Sequence, residues 1–436
     1  MRIRNFLEID FFLFFAALIL TVFGVLFIYS SGVTSAGVLV SSEYLRQIVW
    51  GISGVIIALV LVLVDYRRIR DLSVWLYMGT LALLVYTCFF GRLVNGARAW
   101  IGIGAFGIQP SEFAKITTII VLARYLADSG RESNDFFRFF VSCVIVFVPM
   151  GVILMQPDFG TSLVFIPILL VMTFVAGVAI RYVVFLCAFI GLTVILMVLP
   201  LWQSYIVRSP SPSLTFLGDI RFTAISILGL AVIGLIAFFG FKKYRKRYFY
   251  WILYSAAVGV FSFGASFMSH KVLKDYQIMR LIVFLDPDVD PQGAGWNIIQ
   301  SITAIGSGGL TGKGYLQGTQ SHYRFLPQQS TDFIFSIFTE EWGLLGGLLV
   351  FGLFLLIILR LVRIMRTTAD SFGAYITAGL SGMYIFHFLI NVGMTMGIMP
   401  ITGIPLLFMS YGGSAITSAM AGIGLALSIH VRRYLR

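Results

Sequence analysis

Charge is what this chain has least of: 11% of its 436 residues are Asp, Glu, Lys or Arg, while 59% are hydrophobic. A soluble domain carries about 25% charged residues, so a water-soluble globular fold is excluded and a polytopic membrane protein takes its place. Cysteine is scarce too. Cys88, Cys143 and Cys187 each sit inside an apolar run, which excludes a disulfide framework and a thiolate metal site. Nor does any His, Cys or Asp cluster have structural-metal spacing. Nucleotide signatures are missing as well. A phosphate-cradling loop needs G-x-x-x-x-G-K-[ST], but Ser307 stands five before Gly312 and Gly314 follows Lys313. The dinucleotide pattern fails at Thr311, where its third glycine belongs. A calcium loop counted from Asp286 finds Pro291 and Asn297 where glycine and glutamate are required. The net charge of +12 does not point to nucleic acid, because the basic residues form short clusters between apolar spans, as headgroup contacts and topology signals do.

What is there is a succession of apolar runs long enough to cross a bilayer, each of about 17–25 residues. They predict an all-α integral membrane bundle of about 10–12 helices, at residues 11–30, 48–64, 73–90, 112–127, 138–155, 160–178, 182–201, 223–241, 250–269, 344–361, 373–396 and 405–429. The fourth is the weakest, interrupted by Lys115 and Arg124. The first run reads as an anchor rather than a cleavable signal, since no small-residue cleavage site closes it. With the N-terminus inside, the short inner loops collect most of the Lys and Arg, including Arg67, Arg68, Lys242, Lys243, Arg432 and Arg433. The positive-inside rule therefore puts both termini in the cytoplasm. Residues 286–341 then face outward.

That outward segment is too polar for lipid and too long for a connector, and loops of this length are usually functional. Its glycines (Gly306, Gly308, Gly309, Gly312, Gly314, Gly318) allow tight turns and close approach to a ligand or a helix. Asp286 and Asp288 read as turn-formers, since Asp-Pro pairs break helices and start turns. Asp290 differs because it opens D-P-x-G-x-G-W, whose backbone can hold one carboxylate fixed against a cavity. Glu112 and Lys115, three apart on a predicted helix, share a face and can pair. Glu340 and Glu341 are expected to open the next helix, where carboxylates suit the helix dipole. His387 is an isolated histidine on an apolar helix and reads as a hydrogen-bonded core residue. Trp100 and Trp296 read either as sugar-stacking platforms or as interface anchors.

Motifs spread along the chain resemble the SEDS family (shape, elongation, division and sporulation). They are NGARAWI at 95–101, QPSEFAK at 109–115, QPDFGTS at 156–162, DYQIMR at 275–280, DPQGAGWNIIQS at 290–301, EEWGLLG at 340–346, NVGMTMGIMPITGIP at 391–405 and SYGGS at 410–414. The wording GKG…GTQ resembles the elongation branch more than the division branch. The resemblance implies a peptidoglycan glycosyltransferase that polymerises lipid II into a lipid-linked glycan strand on the outer face of the bacterial cytoplasmic membrane. Expected partners are a class B penicillin-binding protein as transpeptidase, other membrane proteins of the elongation complex, and membrane lipid, with no nucleic acid. The family's essential aspartate matches Asp290, which would act as general base. Arg98, Trp100, Glu112, Lys115, Asp158, Arg280 and Lys313 would bind substrate and pyrophosphate, with Gln300, Ser307 and Asp332 in support. No metal-binding residues are assigned and no cofactor is required, although a Mg²⁺ or Mn²⁺ ion bridging pyrophosphate and carboxylate is compatible with the site.

The chain departs from the family pattern twice. The usual L-P-E-x-H-T-D-F reads Leu326-Pro327-Gln328-Gln329-Ser330-Thr331-Asp332-Phe333, losing an acid and a histidine. Residues 202–249 read as a lineage-specific insertion within a single membrane domain of residues 1–436, with residues 270–343 as its extracytoplasmic catalytic loop. A lipid II flippase or transporter, or a non-catalytic scaffold for a penicillin-binding protein, is the competing reading. A flippase would not need Asp290 as a base.

Overall fold

The computed structural model describes residues 9–94, 96–103, 106–130, 134–203, 206, 219–272 and 275–434. Among them ten helices are long and apolar enough to cross a membrane: Phe11–Gly32, Glu43–Leu63, Tyr66–Phe90, Asp135–Met155, Ile180–Trp202, Ile220–Tyr244, Arg247–Ser269, Ile334–Thr367, Ser371–Thr395 and Gly413–Val431. Two more expected spans take other forms. Pro110–Asp128 is helical but carries four charged residues, and residues 159–175 split into Phe159–Leu163 and Phe165–Val175. Span ends are set by short polar side chains: Asp10, Asp65, Asn134 and Asp370 each cap the helix that follows with a side-chain acceptor, as N-cap residues do.

Residues 92–108 add something an all-helical reading does not contain. Arg92–Val94, Ala97–Ile103 and Phe106–Ile108 form a small antiparallel sheet in the order of the chain. Arg92 pairs with Trp100 and Ile101 with Ile108.

The chain divides into two compact units, residues 1–178 with 300–436, and residues 179–299. In the first, Ser371–Thr395 and Gly413–Val431 are 78% and 83% buried, which makes them its centre. Without water to drive association, membrane helices depend on close packing over small residues. Gly424 lies against the Ala58 backbone and Gly24 against the Met409 carbonyl, where a Cβ would come within 2.6 and 2.5 Å. In the second unit Ile220–Tyr244 returns through Arg245, in the left-handed conformation (φ 49°), to pack on Arg247–Val272. The Phe249 ring covers Gly240. The Ser/Pro-rich stretch at 209–213 lies outside the described residues.

Ile334–Thr367 is a broken helix. Gly343 has φ 66° and ψ −164°, a backbone only glycine adopts readily. In lipid, the backbone groups freed by such a break must find partners in the protein. They do: Leu344 and Leu345 donate to the carbonyls of Gly309 and Leu310, and Lys313 and Gly314 donate to those of Glu340 and Glu341. Within the glycine run at 306–318, Gly308 and Gly312 thus lie close against this helix. A Cβ on Gly308 or Gly312 would lie 2.1 or 2.0 Å from the carbonyl oxygen of Thr339 or Glu341.

Candidate active site

In the first unit, the polar centre begins at the N-terminus of Pro110–Asp128. Pro110 at the first helical position is pre-set for the turn, and it brings Glu112 and Lys115 onto one face. Their side chains are 3% and 1% exposed and 2.8 Å apart. Lys115 Nζ also lies 3.1 Å from His387 Nε2, while Ser418 donates to Glu112 Oε2 at 3.3 Å. The other His387 nitrogen, Nδ1, is 3.1 Å from the Pro405 carbonyl. A carbonyl only accepts, so Nδ1 carries the proton and Nε2 accepts from the ammonium. Nearby, Gln109 ties this helix to two others. Its N–H donates to Ser414 Oγ at 2.8 Å and its amide Nε2 to Asp158 Oδ2 at 2.8 Å. Asp158 caps Phe159–Leu163 through Thr161 N–H. Burial pushes its carboxyl above the usual carboxylate range, against the pull of the Thr161 hydrogen bonds.

A second acidic cluster lies at the helix break. Glu340, fully buried, accepts from Lys313 Nζ at 2.9 Å, from the Thr319 N–H at 2.8 Å and from the Gln320 N–H at 2.9 Å. Glu341 accepts from Ser30 Oγ and from the Leu316 N–H. This corrects the expectation that the two glutamates open a helix. They end the segment before Gly343, and their side chains clamp the 313–321 loop. Lys313, expected at a pyrophosphate, has its ammonium held by Glu340 and by Thr319 Oγ1 at 2.7 Å.

In the second unit, Asp275–Leu285 carries Arg280, half-buried, and ends at the 3-10 turn Pro287–Val289, which Asp286 caps. Asp290 follows, half-buried. Its carbonyl accepts from the N–H groups of Gly293 (3.3 Å) and Gly295 (3.0 Å). The two glycines are required by contact: a Cβ on Gly293 would lie 2.2 Å from Asp290 Oδ2, and one on Gly295 would lie 2.2 Å from the Pro287 carbonyl oxygen. The D-P-x-G-x-G turn therefore wraps the carboxylate with bare backbone. Because the Pro287 oxygen cannot yield as a side chain would, Gly295→Ala must shift the turn. Polymer formation from lipid II is expected to fall by about a hundredfold, the scale set by displacing a reacting group by ~1 Å. A rate within about twofold of wild type would show that the turn does not set the carboxylate's position.

The remaining expected residues are dispersed. Arg98, exposed, and Trp100, half-buried, lie on the small sheet, with the Trp100 ring packed over Gly107. Trp296 is 37% exposed. Gln300 and exposed Ser307 lie on Ala294–Ser307, a helix anchored by Ser301 to Ser336 Oγ (2.6 Å) and to the Thr395 carbonyl (2.7 Å). Asp332 offers its carbonyl to Asn391. At the departures from the family pattern, Ser330 donates to Glu43 (2.7 Å) and Gln328 Oε1 accepts from Thr331 Oγ1 (3.3 Å). Gln329 between them donates to the Ser31 carbonyl (2.7 Å), so Ser330 and Gln329 tie the loop to the first two helices. Among the described residues, no group of three or more His, Cys, Asp or Glu is placed to hold a metal ion.

A multi-pass helical membrane protein with a buried carboxylate–ammonium–imidazole cluster and a glycine-wrapped aspartate is the class these features define. The chain belongs to the FtsW/RodA/SpoVE family, described as cell cycle proteins, whose match covers residues 11–212 and 214–435. It is 50% identical over 434 residues to the peptidoglycan glycosyltransferase RodA of Treponema pallidum, covering 99% of this chain and 100% of that one. It is 32% identical over 385 residues to the peptidoglycan glycosyltransferase MrdB of Escherichia coli K12, covering 87% and 83%. Among solved structures, one described under the structural coordination of polymerization and crosslinking by a peptidoglycan synthase complex matches with TM-score 0.68 and 26% identity, over 98% of this chain and 99% of that one. The rod shape determining protein RodA of Thermus thermophilus matches with TM-score 0.60 and 23% identity, over 99% and 100%, a likeness of fold. The family match runs through residues 202–249 with a break only at residue 213.

Proposed function

We propose that the chain is a peptidoglycan glycosyltransferase that polymerises lipid II during cell-wall elongation, on the outer face of the cytoplasmic membrane with both termini inside. The observation that carries this reading is full-length identity of 50% to a peptidoglycan glycosyltransferase, in a chain that wraps Asp290 in the turn described. Asp290 takes the proton from the 4-hydroxyl of the acceptor GlcNAc as that oxygen attacks the anomeric carbon of MurNAc. The bond from that carbon to the polyprenyl pyrophosphate breaks, and the configuration inverts in one displacement. Pyrophosphate leaves without an acid, so a single carboxylate serves. Lys115, held by Glu112, and Arg280 supply cations for the leaving group, and Arg98, Asp158 and Trp100 contact the substrate. Gln300, Ser307 and Asp332 support the site. Lys313 acts through Glu340, by fixing the loop.

The donor carries its own activated bond, so no nucleotide enters the scheme. A Mg²⁺ or Mn²⁺ ion arriving with the pyrophosphate would find Asp290 as its carboxylate. Loss of polymer on chelation, restored by either ion, would add it to the scheme. A class B penicillin-binding protein is the proposed partner, supported by the synthase complex among the structural matches. The test is polymer formation by the purified protein from labelled lipid II. Glycan chains are expected, and none should form without the protein. Transbilayer movement of lipid II with no polymer would favour the transporter reading instead.

A further inference from the structure

We propose that the tip of the helical hairpin at residues 242–247 is a binding site for the headgroup of an anionic glycerophospholipid. Five of its six residues are basic: Lys242, Lys243, Arg245, Lys246 and Arg247. All five are exposed, and no Asp or Glu occurs between residues 220 and 274. Among the described residues none of the five is held in an ion pair. So many like charges in so short a stretch repel one another unless anions gather there. The tip joins two spans, Ile220–Tyr244 and Arg247–Ser269, so its charges stand at the edge of the hydrocarbon, within reach of lipid phosphates. Basic clusters of about this size beside a membrane span attract anionic lipid, and arginine forks match phosphate oxygens.

Two further observations go beyond a topology signal. Arg245 closes the hairpin in the left-handed conformation, φ 49°, its N–H donating to the Phe241 carbonyl at 2.9 Å. Glycine is the usual residue there, since an L side chain in that conformation crowds its own backbone. The turn thus keeps a cation where the fold alone favours none. The second observation is aromatic. Tyr244, Tyr248 and Trp251 are 57%, 56% and 55% exposed around the tip, and Lys243 Nζ lies 5.3 Å from the centre of the Tyr244 ring. Tyr and Trp rings sit at headgroup level in membrane proteins, which favours a lipid over a soluble acidic protein as the occupant. Exposed Arg181 adds a sixth cation; Tyr254, about two turns along from Arg247, donates to its carbonyl at 2.8 Å. Which leaflet is concerned follows from the sidedness proposed above, but the binding of a phosphodiester does not depend on it.

The test uses the full chain in phosphatidylcholine nanodiscs carrying photoreactive phosphatidylglycerol at a mole fraction well below saturation. Photoreactive phosphatidylcholine is the neutral control, and cross-links are mapped by peptide. One cation near an anionic surface is worth about fivefold in affinity. The phosphatidylglycerol probe is therefore expected to label residues 242–251 about a hundredfold more than the neutral probe, the scale of three such cations. Arg245→Gly is expected to lower that labelling about fivefold while leaving the melting temperature at or above that of wild type, because the turn relaxes. Lys243→Gln, Arg245→Gln and Lys246→Gln together are expected to lower it about a hundredfold, to the level of the neutral probe. Equal labelling by the two probes, or a triple variant that labels like wild type, would leave the cluster as a topology signal and overturn the proposal. Should the triple variant not elute as a folded protein, Arg245→Gly carries the test, and unchanged labelling of that variant overturns the proposal as well. Equal labelling together with capture of an acidic soluble protein by the tip would assign the surface to that protein instead of to lipid.

Discussion

Asp290→Asn is expected to abolish glycan polymerisation while leaving a folded, membrane-inserted protein. The substitution keeps the size and hydrogen-bonding reach of the side chain and removes its basicity. A positioned general base contributes about a hundred- to ten-thousandfold in rate, and the single-displacement scheme has no second carboxylate to take over. The turn should survive, because the Gly293 and Gly295 N–H groups donate to the Asp290 main-chain carbonyl, which the substitution keeps. Polymer is read by gel from labelled lipid II, and folding by thermal melting and binding to the partner transpeptidase. Normal polymer from the asparagine variant would remove Asp290 from the chemistry.

Lys115→Met is expected to fail differently, losing both stability and activity. Glu112 would be left 2% exposed, with the Ser418 hydroxyl donating to it at 3.3 Å. Removing one partner of a buried ion pair typically costs about 3–5 kcal/mol, because the other charge stays buried and uncompensated. The double variant Glu112→Gln with Lys115→Met removes both charges and should recover much of the thermal stability without recovering polymerisation. That split separates bracing from chemistry. If the double variant regains polymerisation along with stability, the pair is a brace and has no part in catalysis.

Much of this architecture was legible in the sequence, and the reasons are local. The spans announced themselves by uninterrupted apolar length, and Glu112 and Lys115 by their spacing of three. The Asp290 turn announced itself by the two glycines at fixed distance. Each depends on residues within a few positions of one another, where backbone geometry alone decides what meets what. What the sequence hides most is long-range: His387 is the buried, hydrogen-bonded histidine expected, but its partner Lys115 lies 272 positions away. Only the packing of Ser371–Thr395 beside Pro110–Asp128 joins them.

Glu340 and Glu341 look like a helix start in the sequence because carboxylates suit a first turn, but that rule belongs to another element here. The helix begins at Ile334 and breaks at Gly343, and the glutamates' partners are loop amides about 20–25 residues upstream. The break carried a signal in Trp342-Gly343 beside the glycine run, but a lone glycine in an apolar helix more often marks close packing than a discontinuity. The small sheet at 92–108 was hidden by its brevity. Its strands are three, seven and three residues long, too short for alternation to stand out.

Asp290 must face the side of the membrane where lipid II displays its sugars, and labelling in intact cells tests that directly. In a variant with Cys88, Cys143 and Cys187 replaced by alanine, Gln292→Cys places a thiol at an exposed position two residues from Asp290 without touching the carboxylate. A membrane-impermeant maleimide is expected to label it in intact cells after outer-membrane permeabilisation, as fully as in lysed membranes. Labelling only after lysis would put the turn in the cytoplasm, with no acceptor sugar within reach, and would contradict the mechanism.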